Sequence, residues 1–438
     1  MRRSLLAVVW AGRRAPGAGR PEVPPDLPLC GKSILRWSLE KAAALGPKRV
    51  FILGDPDSIR VALPADSGAF GVLAADDTSG TLDEIFSGEK SGAGGSNIDI
   101  LVLHPGIALV EAATLRRLIA QHREGGKVAT FLKESVSVGG RPRRAGPTAR
   151  PDWDAVIVRR DDLSAVLARP GRRQDVASRL SRALTALAGR PRNTGVVSLP
   201  ESDGWLAVRG PADASRVRAH LYQQKLARLE RGGVTVLDGG ATWIDWDARV
   251  GPGTIIHPAV VIQGASTIGR DCRLHPFVHL VDARVGDRVE ILSSTVIEGA
   301  RVGRCARVGP FTHFRPGTVI KAGARVGNFV EMKNTVFGRR SLASHLSYLG
   351  DATVGDDVNI GAGTITCNFD RFRKNRTAIG RGAFIGSGTE LIAPVKVGRN
   401  AVVGAGSTIT KNVSPWALAV ARGRQIEIKN WAKRKPGK

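Results

Sequence analysis

The sequence predicts two folds in one chain, an α/β domain with a mostly parallel sheet followed by a parallel β-helix of hexapeptide repeats. In the first half, short apolar runs alternate with helical stretches, which is typical of an α/β sheet. In the second half, from Val250 onwards, an aliphatic residue recurs at about every sixth position and is often followed by glycine. Neither the helical period nor the strand period produces this spacing alone, so it indicates a β-helix.

The α/β domain is predicted to cover residues 1–211. A segment rich in arginine, glycine and proline, residues 139–150, predicts a loop within it. The predicted strands cover residues 5–9, 49–53, 98–103 and 155–158, and the predicted helices cover residues 34–45, 112–122 and 163–167.

A linker helix is predicted over residues 212–233, where apolar residues recur at helical spacing and Gly232-Gly233 provides a stop. The β-helix domain would follow over residues 234–425, and residues 426–438 would form a basic tail.

The repeat predicts the geometry of the β-helix. Each aliphatic residue is expected to point inwards and to stack on its equivalent one coil away. The glycine after it is expected at a turn where a side chain would be strained. With three hexapeptides per coil and strands ~4.8 Å apart, the repeat from Val250 predicts about eight coils and a prism roughly 40 Å tall.

The net charge of +26 has three possible explanations. It could reflect a basic solvated surface, attraction of a polyanionic small ligand such as a phosphorylated sugar or coenzyme, or nucleic-acid binding. The chain has no recognisable nucleic-acid module and no basic motif interleaved with aromatic residues, which argues against nucleic acid.

Cysteine usage and hydropathy predict a cytoplasmic protein. The apolar run after Met1 meets Gly12-Arg13-Arg14 instead of a cleavage site, so we interpret it as a strand. No apolar run approaches the roughly 20 residues of a spanning helix, so we expect no membrane partner. The cysteines have neither metal-ligand spacing nor the density of a disulfide framework; they are Cys30, Cys272, Cys305 and Cys367.

The repeat is interrupted between Met332 and Val354, and again between Thr366 and Ile379. Reactive residue types concentrate at these interruptions. A regular repeat that is interrupted at a cluster of such residues indicates a functional site. The segments are Asn328-Phe-Val-Glu-Met-Lys333, His345-Leu-Ser-Tyr-Leu-Gly-Asp351 and Asn359-Ile-Gly-Ala-Gly-Thr-Ile-Thr-Cys-Asn368.

Together with Arg315-Pro316-Gly317, these segments resemble the acetyltransferase half of the bacterial bifunctional enzyme family that makes UDP-N-acetylglucosamine. In that family a glucosamine-1-phosphate acetyltransferase is fused to an N-acetylglucosamine-1-phosphate uridyltransferase. The resemblance is nearly continuous from about residue 235 to 435. It implies a left-handed β-helix, a homotrimer with active sites between prisms, acetyl-CoA as donor and glucosamine-1-phosphate as acceptor.

The resemblance implies a role for each matching residue. His345 would be the general base, which suits the pKa range of imidazole, and Glu331 would hold its ring in the right tautomer. Arg315 and Lys333 would bind the sugar's 1-phosphate. Tyr348 and Asn359 would bind the sugar, and the positions matching the coenzyme site are Ala362, Asn368, Phe369, Ser387, Ala405 and Arg422. Phe369 stands where the family usually has tyrosine.

The first half resembles the uridyltransferase half only in outline. Gly12-Arg13-Arg14-Ala15-Pro16 replaces the family's Gly-x-Gly-Thr-Arg loop, although Gly80-Thr81 is retained. Pro24 replaces the catalytic lysine, and Gly106 and Gly210 replace two magnesium ligands. Nucleotidyl transfer depends on cations that clamp the phosphates. We therefore expect this half to have kept its fold and lost uridyl transfer, with Mg²⁺ needed only if it is active.

Three alternatives remain. The chain could be the full bifunctional enzyme with a divergent nucleotidyl site, or a non-catalytic prism that binds sugars or proteins. It could also be a metal-dependent hydratase, since some prisms bind zinc through histidines. The histidines in question are His257, His275, His279 and His313, none of which forms a ligand motif.

Overall fold

The computed structural model describes residues 3–10, 24, 26–54, 59, 62, 71–74, 98–104, 107, 110–134, 155–167, 176–189, 193–199, 208 and 211–434. The chain divides into two compact units, Met1–Leu221 and Tyr222–Lys438. The division falls inside the helix Pro211–Arg231. In the described part of the chain, no helix combines the length and the hydropathy that a membrane span requires.

The first unit contains a sheet of seven described strands in the order β5-β4-β1-β6-β8-β7-β9, in which only β8 runs antiparallel to its neighbours. Two short strands of two residues each, β2 and β3, form a hairpin that precedes the first helix. The strands are β1 (Ser4–Trp10), β2 (Pro28–Leu29), β3 (Lys32–Ser33), β4 (Arg49–Gly54), β5 (Gly71–Ala74), β6 (Ile98–Leu103), β7 (Ala129–Glu134), β8 (Ala155–Arg159) and β9 (Thr194–Leu199). The helices are α1 (Ile34–Ala43), α2 (Ala112–Glu124), α3 (Arg160–Leu167), α4 (Val176–Ala188) and α5 (Pro211–Arg231).

The predicted α/β fold is confirmed, and every predicted strand and helix of this unit is present. Five strands, β2, β3, β5, β7 and β9, and the helix α4 were missed. These strands are very short or have only short apolar runs, so their extended state depends on pairing with neighbouring strands. The central strands are apolar on both sides because two separate cores cover the two faces of the sheet. The predicted loop 139–150 lies outside the described residues.

The second unit is a parallel β-helix with three faces. Face one contains Thr235–Val236, Ile255–Ile256, Arg273–Leu274, Glu290–Ile291, Arg307–Val308, Arg325–Asn328, Leu342–His345, Asn359–Ile360, Phe384–Ile385, Val402–Val403 and Leu418–Ala419. Face two contains Trp243–Ile244, Val261–Gln263, His279–Val281, Val296–Glu298, His313–Phe314, Glu331–Lys333, Tyr348–Gly350, Ile365–Cys367, Glu390–Ile392 and Thr408–Ile409. Face three contains Arg249–Val250, Thr267–Ile268, Arg284–Val285, Arg301–Val302, Val319–Ile320, Val336–Phe337, Ala352–Val354, Thr377–Ile379 and Val395–Val397. A 3₁₀ turn, Trp431–Arg434, follows.

The β-helix has about ten coils, so the prediction of about eight was too low. The first coil begins at Thr235, before the regular repeat, and the last strand of face one, Leu418–Ala419, lacks the following glycine. These end strands are recognisable only by their parallel pairing with the next coil. Inside, the aliphatic residues stack as predicted: Phe314 pairs with Met332 and Met332 with Leu349, all fully buried.

Glycine follows the inward-pointing aliphatic residues for a different reason from the strained turn that the sequence predicted. Gly338, for example, is not in the left-handed region. A Cβ atom there would lie 1.8 Å from the carbonyl oxygen of Gly355 on the next coil. The same holds at Gly251, Gly303 and Gly380, where the added atom would lie 2.6–2.8 Å from backbone of the next coil. Close approach of neighbouring coils, and not a strained turn, therefore requires glycine at these positions.

Two edges of the prism position the candidate site residues. The one–two edge, between faces one and two, passes through Phe311, Phe329 and Leu346. The two–three edge, between faces two and three, passes through Asn334 and Asp351. Residues at both edges adopt positive φ, which turns the chain from one face to the next.

We expect Gly338→Ala to destabilise the β-helix by about 3 kcal/mol, because the added methyl group forces two coils apart. The measurement is urea unfolding followed by circular dichroism. Gly423→Ala is the matched control, since no atom lies within 4 Å of a Cβ added there. Equal unfolding midpoints for the two variants would contradict the close-approach explanation.

Candidate active site

The predicted site residues fall into two groups on different parts of the prism. The first, the phosphate group, lies on face two and the two–three edge; its predicted members are Arg315, Glu331, Lys333, Tyr348, Asn368 and Phe369. The second, the base group, lies on face one and the one–two edge; its predicted members are His345, Asn359, Ala362, Ser387, Ala405 and Arg422. The structure thus places the two groups on neighbouring faces of the same prism.

The strand Glu331–Lys333 sets the centre of the phosphate group. Met332 points inwards and is fully buried, so the alternating pattern of a strand directs Glu331 and Lys333 outwards. Parallel pairing places Glu331 beside Tyr348 and Lys333 beside Gly350 on the next coil. Residues that lie one coil apart in the sequence therefore become direct neighbours on the surface.

Arg315 and Glu331 form an ion pair, with 3.1 Å between Nη1 and Oε1. Both side chains are about two-fifths exposed, so the pair adds little stability but orients the guanidinium. Within the described chain no hydrogen bond joins Glu331 to His345; Glu331 lies on face two and His345 at the end of a face-one strand. In the described part of the chain, the His345 ring has no hydrogen-bond partner.

A cluster of three cations forms beside this ion pair. The neighbouring Lys374 side chain lowers the pKa of Lys333, and the charge of Arg315 lowers it further. Lys374 was missed in the sequence, although it stands in a basic segment within the second interruption of the repeat. Like charges repel, so their proximity marks a place prepared for an anion.

The loop Asn368–Arg376 carries Lys374 to this position. Asp370 holds the turn by accepting hydrogen bonds from the backbone amides of Phe372 and Arg373, at 3.0 and 2.7 Å, and from Asn375 Nδ2 at 2.8 Å. These bonds, that of Arg373 first, lower the pKa of Asp370 to about 2. A bridge between Phe369 and Lys374 closes the loop into a short hairpin.

A buried carboxylate, Asp351, lies at the base of the loop. Its oxygens accept hydrogen bonds from Asn334 Nδ2 and Asn368 Nδ2, both at 2.6 Å. Desolvation is the largest influence on Asp351 and acts to raise its pKa. The two amide hydrogen bonds, with Lys374 and Lys333, outweigh it and lower the pKa overall. Asp351 therefore stays charged.

Gly350 leaves the space in which the Tyr348 hydroxyl and the Asn368 side-chain amide meet. A Cβ atom at Gly350 would lie 2.5 Å from the Tyr348 hydroxyl and 2.7 Å from Asn368 Nδ2. Both polar groups therefore occupy the volume that a side chain would fill. The phenol hydroxyl thus lies beside Gly350, the residue that pairs with Lys333 on the preceding coil.

His345 ends the face-one strand Leu342–His345 and is exposed. Its neighbour on the coil below is Asn328, and the next residue, Leu346, turns the chain at the one–two edge. Exposed apolar side chains continue down this edge, where Phe311 and Phe329 stack with ring centroids 5.4 Å apart. The imidazole is thus presented to the outside beside an apolar strip.

The remaining base-group positions form a column above His345 on the one–two edge. Gly388 donates a backbone hydrogen bond to the Ala362 carbonyl at 2.7 Å, and Gly406 donates one to Ser387 at 2.8 Å. Arg422 Nη1 caps the column by donating to the Ala405 carbonyl at 2.8 Å. Small side chains here leave the edge open along several coils. Asn359 lies on face one between Leu342 and Phe384.

No side chain near His345 in the described part of the chain is arranged as a nucleophile. Ser347 is buried and its hydroxyl donates to the carbonyl of His345 at 2.9 Å. Cys367 lies on face two, and partial burial, followed by the charge of Glu390, raises the pKa of its thiol. A raised thiol pKa disfavours the reactive thiolate.

The other β-helix histidines are engaged in local contacts. His257 stacks on His275, with centroids 4.9 Å apart, and His275 contacts Glu290 at 3.1 Å. His279 contacts Gln263 at 2.7 Å, and His313 contacts Glu298 at 3.1 Å. Among the described residues, no group of three or more His, Cys, Asp and Glu side chains could hold a metal ion. The hydratase alternative gains no support.

The predicted nucleotide-contacting positions of the first unit, Gly12–Pro16, Gly80-Thr81, Gly106 and Gly210, lie outside the described residues. Pro24 is described, and its carbonyl accepts a hydrogen bond from the Leu27 amide at 3.0 Å. Glycine supplies no side-chain ligand for Mg²⁺, so Gly106 and Gly210, at the two positions that match metal ligands, do not fit a bound magnesium ion.

A buried charged cluster in the first unit has a structural explanation. Asp99, fully buried at the start of β6, bonds Arg123 at 2.8 Å and Arg3 at 3.5 Å. Desolvation lowers the pKa of the adjacent His122 to about 4, so this ring stays neutral. The cluster lies at the amino ends of the strands, whereas ligands of such sheets bind at the carboxyl ends.

Comparison with known proteins agrees with the fold and the motifs. Residues 376–411 match the family model "Bacterial transferase hexapeptide (six repeats)". The "Bifunctional protein GlmU" of Thermotoga petrophila is 33% identical over 99% of this chain and 99% of its own length. The protein of the same name from Trichlorobacter lovleyi is 34% identical over 93% of each chain. The one from Heliobacterium modesticaldum is 51% identical over 46% of this chain and 44% of its own. With identity above 30% over almost its whole length, the chain belongs to the GlmU family of hexapeptide-repeat transferases, whose prism is a left-handed β-helix.

Proposed function

We propose that the chain transfers acetyl from acetyl-CoA to the amine of glucosamine-1-phosphate, supplying N-acetylglucosamine-1-phosphate for UDP-N-acetylglucosamine. The observation that carries the proposal is the cluster of Arg315, Lys333 and Lys374 beside the Tyr348 hydroxyl. A forked guanidinium with two ammonium groups fits a phosphate monoester, and the adjacent hydroxyl fits the sugar to which it is attached.

In the proposed reaction, His345 accepts a proton from the amino group as the nitrogen attacks the thioester carbonyl. The N–C bond forms, the C–S bond breaks, and the proton passes from the imidazole to the departing coenzyme thiolate. Attack is direct, because Ser347 is occupied with backbone carbonyls and the pKa of the Cys367 thiol is raised.

The placement of the two groups on different faces supports a site shared between copies of the chain. His345 lies at the end of face one, whereas Lys333 lies on face two of the same prism. A neighbouring copy could set its face two against the one–two edge of the first, bringing base and phosphate groups together. Closed rotational symmetry then repeats the same contact at every interface. We propose a cytoplasmic homotrimer, with acetyl-CoA lying along the edge formed by Ala362, Ser387 and Ala405.

We propose that residues 234–425 carry out the acetyl transfer and that residues 212–233 form the linker between the two domains. Residues 1–211 retain a nucleotidyltransferase-like fold without uridyl transfer. The relatives are named bifunctional, which favours the alternative of a second activity. Against it, Pro24, Gly106 and Gly210 stand where a cation and two metal ligands are expected. Mg²⁺ would matter only to that second activity.

We expect the protein to release free thiol from acetyl-CoA in the presence of glucosamine-1-phosphate, and His345→Ala to lower kcat by about a hundredfold or more. The rate falls because no base then removes the proton from the amino group of the acceptor. His275→Ala, an exchange of another histidine on the same prism, should leave the rate within about twofold. Full activity in His345→Ala would end the catalytic assignment.

We expect two inactive variants, one from each group, to restore activity when mixed. His345→Ala subunits keep Lys333, and Lys333→Ala subunits keep His345, so random mixed trimers should regain roughly a quarter of wild-type activity. The variants are unfolded, mixed, refolded and assayed by thiol release. Arg315→Ala mixed with Lys333→Ala is the control, because both changes lie in one group. Failure of the first mixture would contradict a shared site.

We expect no pyrophosphate release from UTP and N-acetylglucosamine-1-phosphate with Mg²⁺, because the replaced positions supply neither phosphate-clamping cations nor metal ligands. The same preparation should release thiol with acetyl-CoA, which shows that it is folded. Magnesium-dependent pyrophosphate release would establish the bifunctional alternative.

A further inference from the structure

Asp351 is fully engaged, although it has no direct role in the proposed reaction. Oδ1 accepts from Asn334 Nδ2 and Oδ2 from Asn368 Nδ2, each at 2.6 Å, and the residue is only 7% exposed. Each hydrogen bond is charge-assisted and therefore stronger than one between neutral groups. A buried carboxylate is costly unless it is well paired, so these contacts call for an explanation.

Asp351 contacts the loop Asn368–Arg376 at both of its ends. Its carboxylate binds Asn368, the first residue of the loop. Its backbone carbonyl accepts from the amide of Thr377, directly after the loop, at 3.3 Å. The Asn375 amide donates to the Asn368 carbonyl at 2.7 Å, so the loop also closes on the residue that Asp351 holds. The position of Lys374 therefore depends on Asp351.

The carboxylate also offsets a repulsion within the phosphate group. The loop places Lys374 next to Lys333, whose pKa it lowers, and the charges of both lysines act on Asp351. Two ammonium groups held together repel unless an anion lies near. Before the acceptor's phosphate binds, Asp351 is an anion near both.

Backbone conformation alone does not explain these contacts. Asp282 lies at the same edge with φ of 48°, against 49° for Asp351. Asp282 accepts a hydrogen bond from the backbone amide of Ala265 at 2.9 Å, which only closes the coil. Asp351 instead binds two side-chain amides, one of them from the loop that carries Lys374.

We propose that Asp351 is the positioning residue that fastens the loop Asn368–Arg376 and holds Lys374 beside Lys333 to receive the acceptor's phosphate. This inference rests on the acetyl-transfer function proposed above, and in it Asp351 acts through Lys374. It assigns the specificity for a phosphorylated acceptor to a loop whose geometry is set by one buried carboxylate.

The first test is Asp351→Asn, which keeps the size of the side chain and removes its charge and one acceptor oxygen. We expect KM for glucosamine-1-phosphate to rise about tenfold while kcat stays within about threefold, because the phosphate cations are displaced and the base is not. Trypsin cleavage after Arg371 and Arg373, measured by mass spectrometry, should become about tenfold faster as the loop loosens. Cleavage after the exposed Arg424 is the internal reference.

Asp282→Asn is the matched control, and both its KM and its loop cleavage should remain within about twofold of wild type. A double-mutant cycle then separates positioning from a general structural effect. If Asp351 acts through Lys374, adding Asp351→Asn to Lys374→Ala should raise KM by less than about twofold further.

The outcomes separate this inference from the function on which it rests. Unchanged loop cleavage in Asp351→Asn, or additive effects in the cycle, would overturn the role of Asp351. Faster cleavage with an unchanged KM would overturn its connection to the phosphate. If the wild-type protein transfers no acetyl while Asp351→Asn loosens the loop, the role of Asp351 in fixing the loop is supported and the proposed acetyl transfer is contradicted.

Discussion

The structure depends on the parallel stacking of one coil on the next. Backbone hydrogen bonds join each strand to its equivalent one coil away, and inward residues such as Phe314, Met332 and Leu349 stack in the interior. This contact is close enough to require glycine at positions such as Gly338. Because the register repeats, outward side chains form columns, and a residue's surface neighbours are set by the coil length.

The candidate site uses this constraint and departs from it locally. The ion pair between Arg315 and Glu331, and the pairing of Glu331 with Tyr348, follow from stacking alone. Lys374 reaches the same place by a loop that the coil does not dictate and that Asp351 fastens at both ends. The rigid prism thus provides fixed positions, and the inserted loop adds a further cation whose position depends on a single buried carboxylate.

Much of the fold followed from the sequence because its periods are direct consequences of geometry. The hexapeptide period predicted the prism, and strand–helix alternation predicted the first unit. The end coils and the strands β5, β7 and β9 were missed because their residues carry little pattern and become strands through pairing. The reason for glycine after the aliphatic residues was also wrong, since sequence shows a small residue but not what approaches it.

The sequence by itself determined which residue types gather at the interrupted repeats, including His345, Glu331 and Lys333. It also showed where the first half departs from the motifs of the family that it resembles. Only the tertiary structure decided which of them are neighbours. It joined Glu331 to Arg315 and not to His345, added Lys374, and placed base and phosphate groups on different faces. The physical reason is that an edge turns the chain within two or three residues, so sequence proximity does not fix the face on which a side chain lies.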